Sequence, residues 1–326
     1  MTMKEQPFWQ QKGDLFYRLG LFYRQEFGGP VRKICVDAGL PCPNVSPNGQ
    51  GGCIFCNTVS FSQIRRNSLQ KDVLQPIPRQ VSEQIRHGKR HSPQTKYLVY
   101  FQPSTNTNAP VERLRRLYEE AISHPDVVGL IIGTRPDAVP DTVLDLLSDL
   151  AEKTWLMLEI GLQSVHNDTL RWLNRGHDYQ TFLAAAERIS LRNIRFGVHL
   201  ILGLPGEDQA ERIETAVRIA GLPIHSVKLH HLYICENTKI AEYYRSGCVE
   251  LPSFADYCRY VVDFLERQPP MRVIDRIVSD TSDETLIAPD WMKNRAISKN
   301  RVIDAVTAEF RRRDSYQGKL FQREKE

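Results

Sequence analysis

Residues 127–164 read VVGLIIGTRPDAVPDTVLDLLSDLAEKTWLMLEIGLQS. Two apolar runs, 127–133 and 155–161, bracket a stretch at 141–152 whose apolar residues recur every three or four places. That spacing is the signature of a helix with one buried face. The flanking runs are nearly continuous in apolar residues, as strands become when both of their faces are covered. Strand, helix and strand in this order predict a parallel pair joined by a crossover. Asp141 is placed to cap the helix that follows Pro140, and Pro110 suits the first turn of the helix before it.

The same rhythm extends in both directions. Further strands are expected at 32–36, 96–101, 194–202 and 226–234, with helical patterns at 79–88, 110–123, 180–192 and 207–220. Strand followed by helix about six times predicts an α/β fold with a parallel sheet covered by helices. The strands end in polar or Gly/Pro-rich loops: FQPSTNTNAP (101–110), GTRPDAVP (133–140), EIGLQS (159–164) and GLPGED (203–208). In parallel barrels such loops gather on one face and carry the chemistry. Past residue 240 the rhythm changes, with helical patterns at 238–246, 253–267 and 299–313 around one strand pattern, MRVIDRIV. The expected organisation is an N-terminal segment at 1–30, a core at 31–240 and an α-rich extension at 241–326.

Composition excludes several classes. With 326 residues, 41% hydrophobic and 25% charged, the chain is an ordinary folded protein. No apolar run approaches the roughly 18 residues that span a bilayer. The N-terminal stretch has no secretory apolar core, so a cytoplasmic location without membrane contact is expected. A net charge of +4 permits an RNA partner without demanding one. Arg311, Arg312 and Arg313 stand in a row, with Lys319, Arg323 and Lys325 beyond them. Such a run is an RNA-binding patch or a solvated helix face.

Four of the seven cysteines, Cys35, Cys42, Cys53 and Cys56, fall within 22 residues. Clustering of this kind points to metal binding before disulfides. From Cys42 the chain reads CPNVSPNGQGGCIFC, a C-x10-C-x2-C spacing. Three thiolates can hold three irons of a [4Fe–4S] cluster and leave the fourth iron open to a chelating ligand. Cys35 as a fourth ligand would instead make a closed cluster or a structural zinc site. It lies within the apolar run RKICV, however, where unliganded buried thiols are common. Phe55, between the last two cysteines, can cover a cluster or pack on an adenine; plain packing is the other reading.

With these loops in hand, the chain resembles the radical S-adenosylmethionine (SAM) superfamily, and within it the elongator-like group that contains the bacterial YtqA and YhcC proteins. The match is carried by DAGLPCPN…GGCIFCN, YFQPSTNTNAP, IGTRPD, LEIGLQS with NRGHD, HLILGLPGE and KLHHLYICENTKIAEYY. RIVSDTSDETLIAPDW and RRRDSYQGK continue it in the tail, so that it covers roughly residues 15–318. The resemblance implies a partial (β/α)6 barrel of the radical SAM type, a [4Fe–4S] cluster on Cys42, Cys53 and Cys56, and SAM. It also implies an electron donor such as flavodoxin or ferredoxin.

By the same resemblance, Thr105, Asn106 and Thr107 would bind the methionyl ammonium, where many superfamily members carry Gly-Gly-Glu. Glu159, Gln163 and His199 would meet the ribose, Gln163 or Arg175 the carboxylate, and the backbone at Gly203, Pro205 and Gly206 the adenine. Arg135, Asp137, His231 and Tyr233 are substrate candidates; His230 and His231 alternate on their strand, which leaves open which one faces inward. The implied substrate is tRNA, modified at the C5 side chain of the wobble uridine. Aromatic residues near the termini, Trp9, Phe16 and Tyr316, are then available to stack on bases. Nothing after residue 240 is long enough for an acetyl-CoA-binding acetyltransferase domain, which argues against elongator-type acyl transfer. A small-metabolite substrate is the alternative within the superfamily. An iron–sulfur protein without catalysis is the alternative outside it.

Overall fold

The computed structural model describes residues 6–46, 48–71, 73–279, 281–282, 284–293 and 295–322. Among these the strands are β1 (Val31–Val36), β2 (Lys96–Phe101), β3 (Val127–Thr134), β4 (Trp155–Gln163), β5 (Phe196–Leu202), β6 (Ser226–His231), β7 (Ile234–Cys235), β8 (Val273–Arg276) and β9 (Leu286–Ala288). One sheet runs in the order β1-β2-β3-β4-β5-β6-β8, and β7 pairs with β9 in a second. The chain divides into two compact units: residues 23–162 with 170–198, and residues 1–22 with 163–169 and 199–326. The division passes along β5, whose residues 196–198 belong to the first unit and 199–202 to the second.

In the first unit β1 to β4 pair in parallel, with Val36 beside Phe101 and Thr134 beside Ile160. Their C-terminal ends therefore share one edge of the sheet. Five of the six residues of β2 are buried. The helix Val111–Ile122 turns Leu114, Tyr118 and Ala121 inward, one stripe at helical spacing. Asp141–Lys153 does the same with Val143, Leu144, Leu146, Leu147 and Leu150. Each large apolar side chain so buried contributes about 1.5–3 kcal/mol relative to exposure. Gly129 is required for the β3–β4 approach, because a Cβ there would lie 2.2 Å from the Trp155 carbonyl oxygen.

In the second unit β6 and β8 run parallel, with an irregularity between Val227 and Lys228. The helix Phe254–Leu265 buries Tyr257, Cys258, Val261, Val262, Phe264 and Leu265. The N-terminal residues join this unit. The Trp9 indole donates to the Pro270 carbonyl at 2.9 Å, and Phe16 stacks on Phe310. Trp9 is 0% and Phe16 5% exposed. This corrects the expectation that they stack on bases: their apolar area is spent on the core. Tyr316 is half-buried with Lys319 over its ring.

The basic tail is also partly consumed. Arg313 pairs with Asp263, Glu266 and Glu309, and Arg312 with Glu309. Arg323 and Lys325 lie outside the described residues.

Local differences from the sequence reading have simple causes. Pro140 and Pro110 hold the cap positions with φ near −60°, no side chain caps either helix, and Asp141 is the first helical residue. There its charge favours the helix N-terminus without a hydrogen bond. The run expected at 226–234 breaks after His231, and Ile234–Cys235 turns away to pair antiparallel with Leu286–Ala288. Helices Leu19–Phe27 and Gln63–Lys71 carry no periodic apolar stripe strong enough to have been read. Among the described residues no helix is long and apolar enough to cross a membrane.

Candidate iron–sulfur and SAM site

Leaving β1, the chain is fastened at Asp37. Its carboxylate receives two bonds from Arg65, both 2.7 Å, and its backbone exchanges bonds with the Gln80 amide. From Cys42 the Pro/Asn/Gly-rich insert folds back on itself. Val45 N–H donates to Cys42 O at 3.0 Å, Gly52 N–H to Asn44 O at 2.7 Å, and Val45 and Gly51 form an antiparallel bridge. Ten intervening residues thus return the chain to its starting point. A tight turn follows, with Cys56 N–H on Cys53 O at 3.0 Å.

A second loop, Asn174–Gly176, locks against this one. Asn174 Nδ2 donates to Gly52 O and Asn44 Nδ2 to Asn174 O, both at 2.7 Å, while Ile54 N–H reaches Leu173 O at 3.0 Å. Gly176 has φ +74°, and a Cβ there would lie 2.2 Å from Asn44 Oδ1, so only glycine fits. Arg175 is 7% exposed. Its Nη1 donates to Cys53 Sγ at 3.3 Å and its Nη2 to Gly161 O at 2.6 Å. Asn44 Nδ2 approaches the same sulfur at 3.6 Å. Behind it, Arg135 donates to the Arg175 carbonyl at 2.8 Å and holds Asp137 through two bonds of 2.8–2.9 Å.

The electrostatics follow from this crowding. The protein atoms packed around it, then Cys53 and Cys42, push the Cys56 thiol up to about 12, against the pull of Arg175 and Arg65. Cys56 nonetheless keeps surface open to solvent. A Cys56 thiol whose ionisation its two neighbouring cysteines oppose, beside two cations and two N–H donors to the Cys53 sulfur, suits a metal-bound thiolate better than a free one. Among the described residues no three Cys, His or carboxylate groups converge on a point that would hold one ion. A multi-iron cluster instead takes one thiolate at each iron. Cys35 stays on β1, half-buried, its carbonyl receiving Gln84.

The loop after β2 is rigid. Asn106 is 0% exposed, and its Nδ2 donates to Phe101, Pro103 and Gly133 carbonyls at 3.0–3.1 Å. Its Oδ1 is buried without a partner among the described residues. Thr107 Oγ1 bonds Thr134 and the Ala138 carbonyl, and Thr105 is buried beside them. Glu159, 2% exposed, receives Tyr100 Oη at 2.6 Å and Lys33 Nζ at 3.3 Å. Phe55 is half-buried.

The remaining sequence candidates belong to the second unit. Gln163 has φ +83°. Gly203 has φ +79°, and a Cβ would lie 2.7 Å from the Pro252 ring; Pro205 is half-buried. His199 lies 5.5 Å from His230, centre to centre. His231 takes the opposite side of β6, packed on Trp291 at 4.7 Å and on Tyr257 and Tyr233. Burial and then Arg276 lower its pKa to about 3. The Ser279 N–H donates to Nδ1, which assigns the ring proton to Nε2.

The sequence reading missed Asn44, Arg65, Lys33, Tyr100 and Asn174, and a signal existed for three of them. Asn44 lies within the cysteine loop, and Lys33 and Tyr100 interrupt apolar strands; Arg65, on the helix Gln63–Lys71, and Asn174, in the loop after Leu173, carry no such signal.

A family model described as the Radical SAM superfamily matches residues 44–219, and one described as the Radical_SAM C-terminal domain matches 224–312. The chain belongs to the radical SAM superfamily. Membership implies a [4Fe–4S] cluster, SAM and an electron donor for this radical SAM protein. Its fold class is the expected one, a partial (β/α)6 barrel with an α-rich C-terminal extension.

The uncharacterized protein YtqA of Bacillus subtilis is 36% identical over 325 residues, 98% of each chain. The tRNA uridine(34) acetyltransferase of Methanocaldococcus jannaschii is 25% identical over 123 residues, 37% of this chain and 22% of that protein. The solved structure of archaeal Methanocaldococcus infernus Elp3 aligns with TM-score 0.67 at 16% identity, over 89% of this chain and 64% of that one. This radical SAM chain therefore spans less than two thirds of that structure.

Proposed function

We propose that this radical SAM enzyme modifies a tRNA at the C5 side chain of its wobble uridine. The observation that carries the chemistry is the meeting of Arg175 and Asn44 on the Cys53 sulfur, beside Cys42 and Cys56. In this reading those three cysteines hold three irons, and SAM takes the fourth. When bound, cluster and SAM together supply a 5′-deoxyadenosyl radical that abstracts hydrogen from the substrate. Residues 31–240 form the core and 1–30 and 241–326 the flanking segments.

The protein's own contribution is binding and orientation. Arg175 and Asn44 donate N–H groups to sulfur. Arg135, oriented by Asp137, holds the Arg175 backbone; both act here as positioning residues before any contact with substrate. Asn106 Oδ1, a buried acceptor without a donor among the described residues, suits the methionyl ammonium between Thr105 and Thr107. The roles of Phe55, Glu159, Gln163, His199, Gly203 and Pro205 toward SAM, and of His231 and Tyr233 toward substrate, rest on the resemblance.

The tRNA assignment is supported by the relative named for acting on tRNA uridine 34 and by the net positive charge. Nucleosides of total tRNA, compared by mass spectrometry in cells with and without the gene, test it. Loss of one modified wobble uridine with accumulation of its precursor is expected, restored by the wild-type gene and not by Cys42→Ala, Cys53→Ala or Cys56→Ala. An unchanged profile across growth conditions would overturn the tRNA assignment and direct the search to a small metabolite.

A further inference from the structure

In the second unit, β6 and β8 bring Lys228 opposite Arg276 in the strand register. Like charges directly opposed on neighbouring strands repel, and Lys228 is 5% exposed. Arg276 itself is half-buried. Its Nη2 lies 3.1 Å from Nε2 and 3.3 Å from Nδ1 of His230. The lone-pair directions of the two ring nitrogens diverge, so one donor this close to both sits over the imidazole instead of in its plane. The contact fixes the guanidinium without satisfying it.

Arg276 Nε is buried and has no hydrogen-bond partner among the described residues. The guanidinium forms no ion pair among them either. Asp275, its chain neighbour, is the residue the register skips at the irregularity between Val227 and Lys228, and no ion pair joins it to Arg276 among the described residues. A half-buried cation with no counter-charge among the described residues is costly to the folded state. Such a group makes physical sense where a ligand brings the missing charge. Its five donors form a planar fork that matches the two oxygens of a carboxylate. RNA backbone phosphates, by contrast, are met by Arg and Lys reaching out from exposed surface.

We propose that Arg276, held against His230 at the ends of β8 and β6, binds a carboxylate group of a small co-substrate that is consumed together with the tRNA in the radical reaction. The assignment rests on the radical SAM reading for its purpose. The binding itself is measurable without turnover.

The test uses the full chain with its cluster, held anaerobically, as wild type, Arg276→Gln and Arg276→Lys. Thermal midpoints are recorded in sodium acetate, chloride and phosphate at equal ionic strength, with acetate as the ligand titrated. Acetate should raise the wild-type midpoint by about a few degrees more than chloride does. The acetate response should weaken roughly tenfold or more in Arg276→Gln, as expected when a charged partner is lost. Without acetate, Arg276→Gln should melt at or above the wild-type midpoint, because it sheds a charge that has no ion pair among the described residues; a structural arginine would give the reverse.

Equal effects of acetate and chloride would overturn the proposal, as would an undiminished acetate response in Arg276→Gln. Preference for phosphate would overturn the choice of carboxylate. Should Arg276→Gln fail to fold, Arg276→Lys decides: it keeps the charge but not the fork, and an acetate response equal to wild type would overturn the role of the fork. The fate of the tRNA assignment is read separately, from the nucleoside comparison.

Discussion

Arg175 Nη1 donates to Cys53 Sγ at 3.3 Å, while the same guanidinium is anchored on the Gly161 carbonyl at 2.6 Å. One side chain thereby ties the end of β4 to the cysteine loop. Donors to a cluster sulfur favour its reduced, more negative state. Arg175→Met should lower the reduction potential by about 60 mV, the equivalent of one charge-assisted hydrogen bond of about 1.4 kcal/mol. A redox titration followed by electron paramagnetic resonance reads this, and an unshifted potential would refute a tuning role.

Iron content separates the cysteines. Cys42→Ala, Cys53→Ala and Cys56→Ala should each lose iron after anaerobic reconstitution, and Cys35→Ala should keep it. Iron loss in Cys35→Ala equal to that of the other three would identify a closed, four-cysteine site.

Two of the partners of Glu159, Tyr100 and Lys33, carry unequal weight. Tyr100→Phe removes one neutral donor and should cost about 1–3 kcal/mol in urea unfolding. Lys33→Met takes a cation away from a carboxylate that is itself 1% exposed. A fully buried pair broken this way costs about 3–5 kcal/mol. Because Lys33 keeps 17% of its surface, the loss should lie at or below the bottom of that range.

Trp9 offers a direct contrast between core and RNA roles. As a fully buried side chain, its replacement by Ala should cost about 3–5 kcal/mol. Selective loss of RNA binding at unchanged stability would contradict its place in the core.

Acid sensitivity should centre on Glu309. Bonds from Arg312, aided by Arg313, hold its pKa at about 2, below the ordinary 4.5. A depressed carboxylate stabilises the fold above its unfolded pKa, and that stability disappears as pH falls from about 4.5 toward 2. Unfolding midpoints across this window should drop less steeply in Arg313→Ala than in wild type. Parallel slopes would show that Arg313 does not contribute.

The sheet was legible because its strands announce burial: β2 spans the six residues expected, and the helix 141–153 exceeds its expected span by one residue. What escaped was set by partners distant in sequence. Nothing in KYLVYF says that Tyr100 reaches Glu159, and nothing in the NRGHD stretch, apart from its resemblance, says that Arg175 turns to sulfur. The terminal aromatics were misread for the same reason. Trp9 looks like an exposed terminal ring until the Pro270 carbonyl, 261 residues away, is placed beside it. The alternation of His230 and His231 was expected, but which neighbours each would meet depended on β8 and on the helix Phe254–Leu265.

The hairpin closed by the Val45–Gly51 bridge has one more consequence. Because the chain turns back before it reaches Cys53, the separation of the first two cysteines along the sequence is uncoupled from their separation in space. Residues added to or removed from the hairpin tip would lengthen or shorten an outward finger and leave the sulfurs where they are. Chains with the same three-cysteine arrangement can therefore differ in the first interval while holding the second, C-x2-C, constant. The short interval, fixed by the Cys56 to Cys53 backbone bond, is the invariant to look for.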